Sequence, residues 1–164
     1  NILIDEEGKP HVTDFGLAKR LEESSPLTAP GQMIGTMQYM PPEQVEGELE
    51  RIGPTADVYA LGVVLYELLT GTMPFRGETF AALAAQVLEG TLEPPSARDA
   101  TVPADLDALC RRAMARDPAQ RPADGNALAD ALERWLEGKP AVTRDAPAAD
   151  APTGKGGWWR RWFG

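Results

Sequence analysis

Fourteen consecutive residues, Ala56 to Leu69, are apolar on nearly every face, interrupted mainly by Asp57, Gly62 and Glu67. A helix with no polar side to offer water must be enclosed by other elements, so this stretch predicts a central buried helix around which the remainder is arranged. Thr55 stands where an N-cap belongs and Gly71 where the helix should stop. The longest uninterrupted apolar-plus-glycine run, Tyr59 to Tyr66, is far short of the ~20 residues that a membrane-spanning helix needs.

Amphipathic segments follow that can cover it. Phe80 to Glu89 is alanine-rich with Leu83, Val87 and Leu88 apolar, and Gly90 closes it. Leu106, Leu109, Cys110, Ala113 and Met114 recur at helical spacing, as do Leu128, Ala131, Leu132, Trp135 and Leu136. Pro41 and Pro42 can open a short helix through Glu43, Gln44 and Val45, which Gly47 ends. Ahead of these, Ile2-Leu3-Ile4, a polar turn from Asp5 to Lys9 and a second short run around Val12 read as a β-hairpin. The fold class expected is therefore α+β, mainly helical with an N-terminal β-hairpin. With the turn centred between Glu7 and Gly8, facing residues sum to fifteen, which sets Asn1 across from Asp14 with Cα atoms ~5 Å apart. An amide oxygen and a carboxylate then face one site, whereas a slip of one residue would send them to opposite faces.

Residues 17–40 lack periodicity and hold Ser24, Ser25, Pro26, Pro30 and Gly31, marking a long loop of the kind that is functional or disordered. Residues 138–157, with Pro140, Pro147 and Pro152 among Ala, Asp, Thr and Gly, read as a flexible linker. Sixteen basic against 25 acidic residues leave a net charge of −9, which argues against a nucleic-acid partner. A single cysteine, Cys110, excludes an internal disulfide, and with one histidine, His11, it cannot build a four-ligand zinc site. A reducing, cytoplasmic setting is expected. The chain opens on Asn1, with neither Met nor a signal-peptide pattern, and reads as a piece of a longer protein.

Five short motifs carry the chemistry, in this order: Asn1-Ile2-Leu3-Ile4, Asp14-Phe15-Gly16 after a predicted strand, Gly35-Thr36-Met37-Gln38-Tyr39-Met40-Pro41-Pro42-Glu43, Asp57-Val58-Tyr59-Ala60-Leu61-Gly62, and Arg121-Pro122. In this order and spacing they resemble the C-terminal lobe of a bacterial eukaryotic-like serine/threonine protein kinase, over about residues 1–137. The resemblance implies ATP and Mg²⁺ as cofactors, with Asp14 holding the metal that bridges ATP phosphates and Asn1 holding the second metal. Both would thus bind metal and cofactor, which suits the hard oxygen ligands that Mg²⁺ takes. It further implies that Thr36 touches the catalytic aspartate and lysine from the substrate loop, favouring protein substrates phosphorylated on Ser or Thr. Glu43 and Arg121 match the ion pair tying this segment to the last helices, with Pro41 replacing the family's usual alanine. Asp57 matches the aspartate bracing the catalytic-loop backbone. Regulatory phosphates belong between Asp14-Phe15-Gly16 and Glu43, where Thr28 is the first choice and Ser24 and Ser25 are the other hydroxyls.

Taken singly, these residues have blander readings. Asp14 could cap a turn, Glu43 and Arg121 could be surface charges, and Asp57 could favour the helix dipole. His11 reads as structural or exposed, Cys110 as a buried inert thiol, and Glu46, Glu48 and Glu50 as a solvated face. In the pattern His-Arg-Asp-Leu-x-x-x-Asn the base stands five residues before the asparagine, here Asn1, and so lies outside this chain. The Gly-rich loop, the ATP-pairing lysine and its glutamate belong to the N-lobe, the expected partner within the same protein. A second class stays open, a pseudokinase acting as a scaffold or binding module; the intact Asn1 and Asp14 favour the enzyme. Residues 158–164 crowd Trp158, Trp159, Trp162 and Phe163 with Arg160 and Arg161, and Lys155 lies just before them. That composition reads as a juxtamembrane stretch ahead of a helix beyond Gly164, tethering the protein to the cytoplasmic membrane, or as an aromatic tail docking on the lobe or a partner.

Overall fold

The computed structural model describes residues 2–13 and 37–141. Strands β1 (Ile2–Ile4) and β2 (Pro10–Val12) pair antiparallel, with Ile2 opposite Val12, Leu3 opposite His11 and Ile4 opposite Pro10. Facing residues sum to fourteen, not fifteen, and the register expected from the sequence is corrected by one. The cause is the turn: Asp5 and Lys9 close a three-residue loop in which Gly8 adopts φ 81°, the left-handed bulge position. An odd loop centres the hairpin on Glu7. His11 is exposed and sits 2.7 Å from the Asp5 carboxylate, which it and the Lys9 amide hold below the usual carboxylate range.

The helical body contains α1 (Pro42–Val45), α2 (Pro54–Thr70), α3 (Phe80–Glu89), α4 (Pro95–Arg98), α5 (Ala104–Ala113) and α6 (Gly125–Leu136). Short 3-10 turns occupy Leu49–Arg51 and Pro118–Gln120. Helix α2 starts two residues earlier than the Thr55 cap predicts. Pro54 takes the first helical position, where its fixed φ and missing N–H cost nothing, and Gly53 is the cap residue. Gly71, at φ 69°, ends α2 by donating its N–H to the Glu67 carbonyl. Thr79 and Asp124 cap α3 and α6 through side-chain oxygens.

Helix α2 is the centre of the core. Tyr59, Val63, Tyr66 and Leu69 join Leu83 and Val87 of α3 and Leu106, Cys110 and Met114 of the α5 region in one buried cluster. Val58 packs instead with Leu109, Ala113, Leu128, Ala131 and Ala141. Burial is not complete around α2, since Leu61 and Leu68 are 39% and 44% exposed, and Leu136 at the end of α6 is 75% exposed despite its helical spacing. Helices α2 and α5 meet closely at Gly62, whose carbonyl accepts the Cys110 thiol at 3.6 Å. Helix α4, too short for a periodic signal, is held by the buried Asp107 carboxylate accepting the Ser96 N–H at 2.9 Å. No helix among the described residues is long and apolar enough to cross a membrane.

Candidate functional site

The strongest polar feature of the body is a fork between α1 and the segment ahead of α6. Pro42 starts α1 and places Glu43 in its first turn, facing inward. The 3-10 turn Pro118–Gln120, capped by the Asp117 side chain, delivers Arg121 from the other side. Arg121 Nη1 and Nη2 donate to Glu43 Oε1 and Oε2 at 2.7 and 2.8 Å. The remaining guanidinium protons go to the carbonyls of Ala115 (2.7 Å), Thr55 (3.0 Å) and Arg116 (3.1 Å). The side chains are 0% and 1% exposed, so these two charges, 78 positions apart, are sealed from water. Burying a pair is costly unless geometry and additional hydrogen bonds compensate, which is what the planar fork and three carbonyls supply. The Tyr59 ring lies under the guanidinium at 5.0 Å. Burial pushes the Tyr59 phenol up, against the opposing charge of Arg121.

The fork fixes the chain just after Gly35-Thr36. Upstream of Pro41, Met37 and Tyr39 pack on the main core cluster, and the Met40 N–H donates to the Met37 carbonyl at 3.1 Å. Tyr39 donates its hydroxyl to Glu67 of α2. Asp57 lies in the first turn of α2, exposed and without a hydrogen-bond partner among the described residues. Neither Tyr39 nor Glu67 stands out in the sequence as a site residue: one sits inside a longer motif and the other is merely an interruption in an apolar run.

Asn1, Asp14, Ser24, Ser25, Thr28 and Thr36 lie outside the described residues. The hairpin register removes the geometric argument for Asn1 facing Asp14, so their joint role rests on the motif resemblance. The donor set itself, an amide oxygen and a carboxylate, is hard and suits Mg²⁺, which takes only one or two protein groups beside phosphates and water. Among the described residues no group of three His, Cys, Asp or Glu side chains could hold a metal ion. Burial, with Asp107 adding to it, pushes the Cys110 thiol up to about 12, and the thiol takes no part in the site.

A helical body built around α2, with a buried glutamate–arginine fork locking the segment that follows Gly35-Thr36 in the sequence, is that of the large lobe of a protein kinase. Residues 1–134 match the protein kinase domain family, and the chain belongs to it. Its relatives are bacterial. It is 40% identical over 92% of its length to serine/threonine-protein kinase drp72 of Corynebacterium efficiens. It is 41% identical over 84% of its length to the serine/threonine-protein kinase PknL of Mycobacterium tuberculosis, and 39% identical over 89% to PknB of Mycolicibacterium smegmatis. The chain spans 28%, 34% and 24% of the length of these curated relatives.

Proposed function

We propose that this chain forms the large lobe, residues 1–137, of a bacterial serine/threonine protein kinase that transfers the γ-phosphoryl group of ATP to a protein hydroxyl, releasing ADP. The observation that carries this reading is the fork between Glu43 and Arg121, which fastens the end of the substrate segment to the body. Asn1 and Asp14 would hold Mg²⁺, which when bound neutralises charge developing on the transferred phosphoryl group. Thr36 would touch the catalytic aspartate and lysine, Asp57 would brace the catalytic-loop backbone, and Thr28 first, then Ser24 and Ser25, would be the phosphate acceptors between Asp14 and Glu43. The N-lobe of the same kinase would supply the ATP-binding groups.

The test is phosphotransfer by the complete protein. Incorporation of the γ-phosphate into an acceptor protein is expected, and Asp14→Ala should abolish it. A complete protein that binds its partners yet transfers no phosphate would favour the scaffold reading instead.

The proposal extends to residues 138–157 as a linker and to residues 158–164 as a membrane-interface stretch, because tryptophans beside Arg160 and Arg161 match the headgroup region of a bilayer. Recovery of the complete protein in the membrane fraction is expected; wholly soluble recovery would refute the tether.

A further inference from the structure

The chain does not leave the body where α6 ends. Gly138 sits in the left-handed region at φ 77°, its N–H donating to the Trp135 carbonyl and the Lys139 N–H to the Arg134 carbonyl, both at 2.9 Å. This paired-bond stop turns a chain at a helix C-terminus. Three residues on, Ala141 is 6% exposed, packed in one cluster with Leu109 and Ala113 of α5, Leu128 and Ala131 of α6 and Val58 of α2. Ala141 also lines a groove of about 380 Å³ between α5 and α6, whose apolar surface comes from Leu109, Pro122, Ala127 and Ala131. Three charged residues line it as well, Arg112, Asp130 and Arg134. Arg112 spends its Nε on the Gln120 carbonyl at 3.3 Å, whereas Arg134 makes no side-chain hydrogen bond or ion pair among the described residues.

A groove walled by alanines suits an occupant with small side chains, and its mixed charges suit one that carries both signs. We propose that this groove is the docking seat of the chain's own continuation past Ala141, residues 142–147, with Asp145 meeting Arg134. The sequence Val142-Thr143-Arg144-Asp145-Ala146-Pro147 supplies apolar and small residues with one charge of each sign. Asp145 comes four residues after Ala141, about 13 Å along an extended chain. Arg134 stands one helical turn from Ala131, which shares the cluster with Ala141, so the two charges are within reach of each other. A segment delivered by Ala141 is present at the groove at an effective concentration in the mM range, which favours it over a separate partner. The linker proposed above then begins after Pro147. The assignment goes beyond the kinase reading and does not depend on it.

Amide exchange of residues 142–146 is measured on the complete protein, on its Arg134→Glu and Asp145→Arg variants, and on the double charge swap. In the parent these amides should exchange at least about tenfold more slowly than in an isolated peptide of the same sequence. Each single variant turns an attraction into a repulsion and should quicken exchange about threefold to tenfold, and the swap should restore the parent rate. Parent exchange at the peptide's rate, single variants that exchange like the parent, or a swap that restores nothing would each overturn the assignment. Protection that grows with protein concentration would overturn it too, by placing a second copy in the groove. If Arg134→Glu lowers the thermal midpoint of the body, Asp145→Arg decides alone, because it alters none of the residues that line the groove.

Discussion

At Arg121 a single planar guanidinium meets five acceptors, two on Glu43 and three backbone carbonyls. A lysine ammonium has three donors and no fork, so Arg121→Lys strands buried oxygens that no water reaches. The expected loss is about 3–5 kcal/mol, read as a lower urea midpoint with an unchanged slope; a loss within the range of an exposed bridge would refute the buried-fork account. A second residue-scale expectation concerns the regulatory loop. Thr28 should be the main autophosphorylation site of the complete kinase, because a phosphate there can pair with arginines and order the loop. Mass spectrometry that finds Ser24 or Ser25 fully phosphorylated and Thr28 bare would reject it. The third follows from Cys110, whose thiol is pushed up to about 12 from 9.0 by burial. As pH rises past about 9 the unfolded chain releases this proton while the folded one keeps it. The unfolded state then binds fewer protons, and stability falls with rising pH. Buried Tyr59 and Tyr66, both raised by desolvation, act in the same direction. Thermal midpoints between about pH 8 and pH 11 should therefore decline, less steeply in Cys110→Ala than in the parent; identical slopes would remove Cys110 from the account.

Among the elements, the packing is tightest where glycines let backbones meet. A Cβ on Gly77 would stand 2.4 Å from the Leu83 backbone nitrogen, inside the first turn of α3, and one on Gly62 would stand 2.8 Å from Met114 Cγ and 2.9 Å from Ala113 Cβ. Gly77→Ala cannot be absorbed by a side-chain rotation, so α3 must shift off Leu83 and Val87, at a cost of about 1–3 kcal/mol. Gly125→Ala, which meets nothing within 4 Å at the start of α6, is the control and should be neutral or slightly stabilising. Equal effects of the two substitutions in chemical denaturation would refute the close-packing argument. The bounds of α3, Phe80–Glu89, were legible because an alanine-rich amphipathic run ends at Gly90. Helix α4 and the two 3-10 turns were not, since three or four residues show no period and are fixed by Asp107, Asp117 and Glu48 reaching across turns or loops. The hairpin was legible but its register was not, because alternation cannot tell an even loop from one with Gly8 in the left-handed region. Hydrophobic spacing alone likewise overstated burial at Leu61, Leu68 and Leu136, since it identifies a face without saying how far the neighbours extend. The fork was out of reach of spacing altogether: nothing local links Glu43 to Arg121, and only the motif resemblance paired them before the contact was seen.

On the scale of the whole molecule, these 164 residues hold the proposed substrate segment, the fork behind it and two proposed metal ligands, but no His-Arg-Asp sequence, since the one histidine, His11, is followed by Val12 and Thr13. His11 itself sits 2.7 Å from the Asp5 carboxylate on an exposed hairpin. Neither the G-x-G-x-x-G pattern of a phosphate-covering loop nor the V-A-I-K pattern that carries the phosphate-pairing lysine occurs in the sequence. Phosphoryl transfer depends on positioning and on charge stabilisation by several parts acting together, so removing the base and the lysine together takes away most of the rate. The polypeptide of residues 1–164, incubated alone with labelled MgATP and a generic acceptor protein, should therefore incorporate no label above the background of an Asp14→Ala control. Label that persists in that control marks a contaminating kinase. Label that the parent incorporates and Asp14→Ala abolishes would show that this chain is a self-sufficient catalyst and would overturn the division of labour proposed for it.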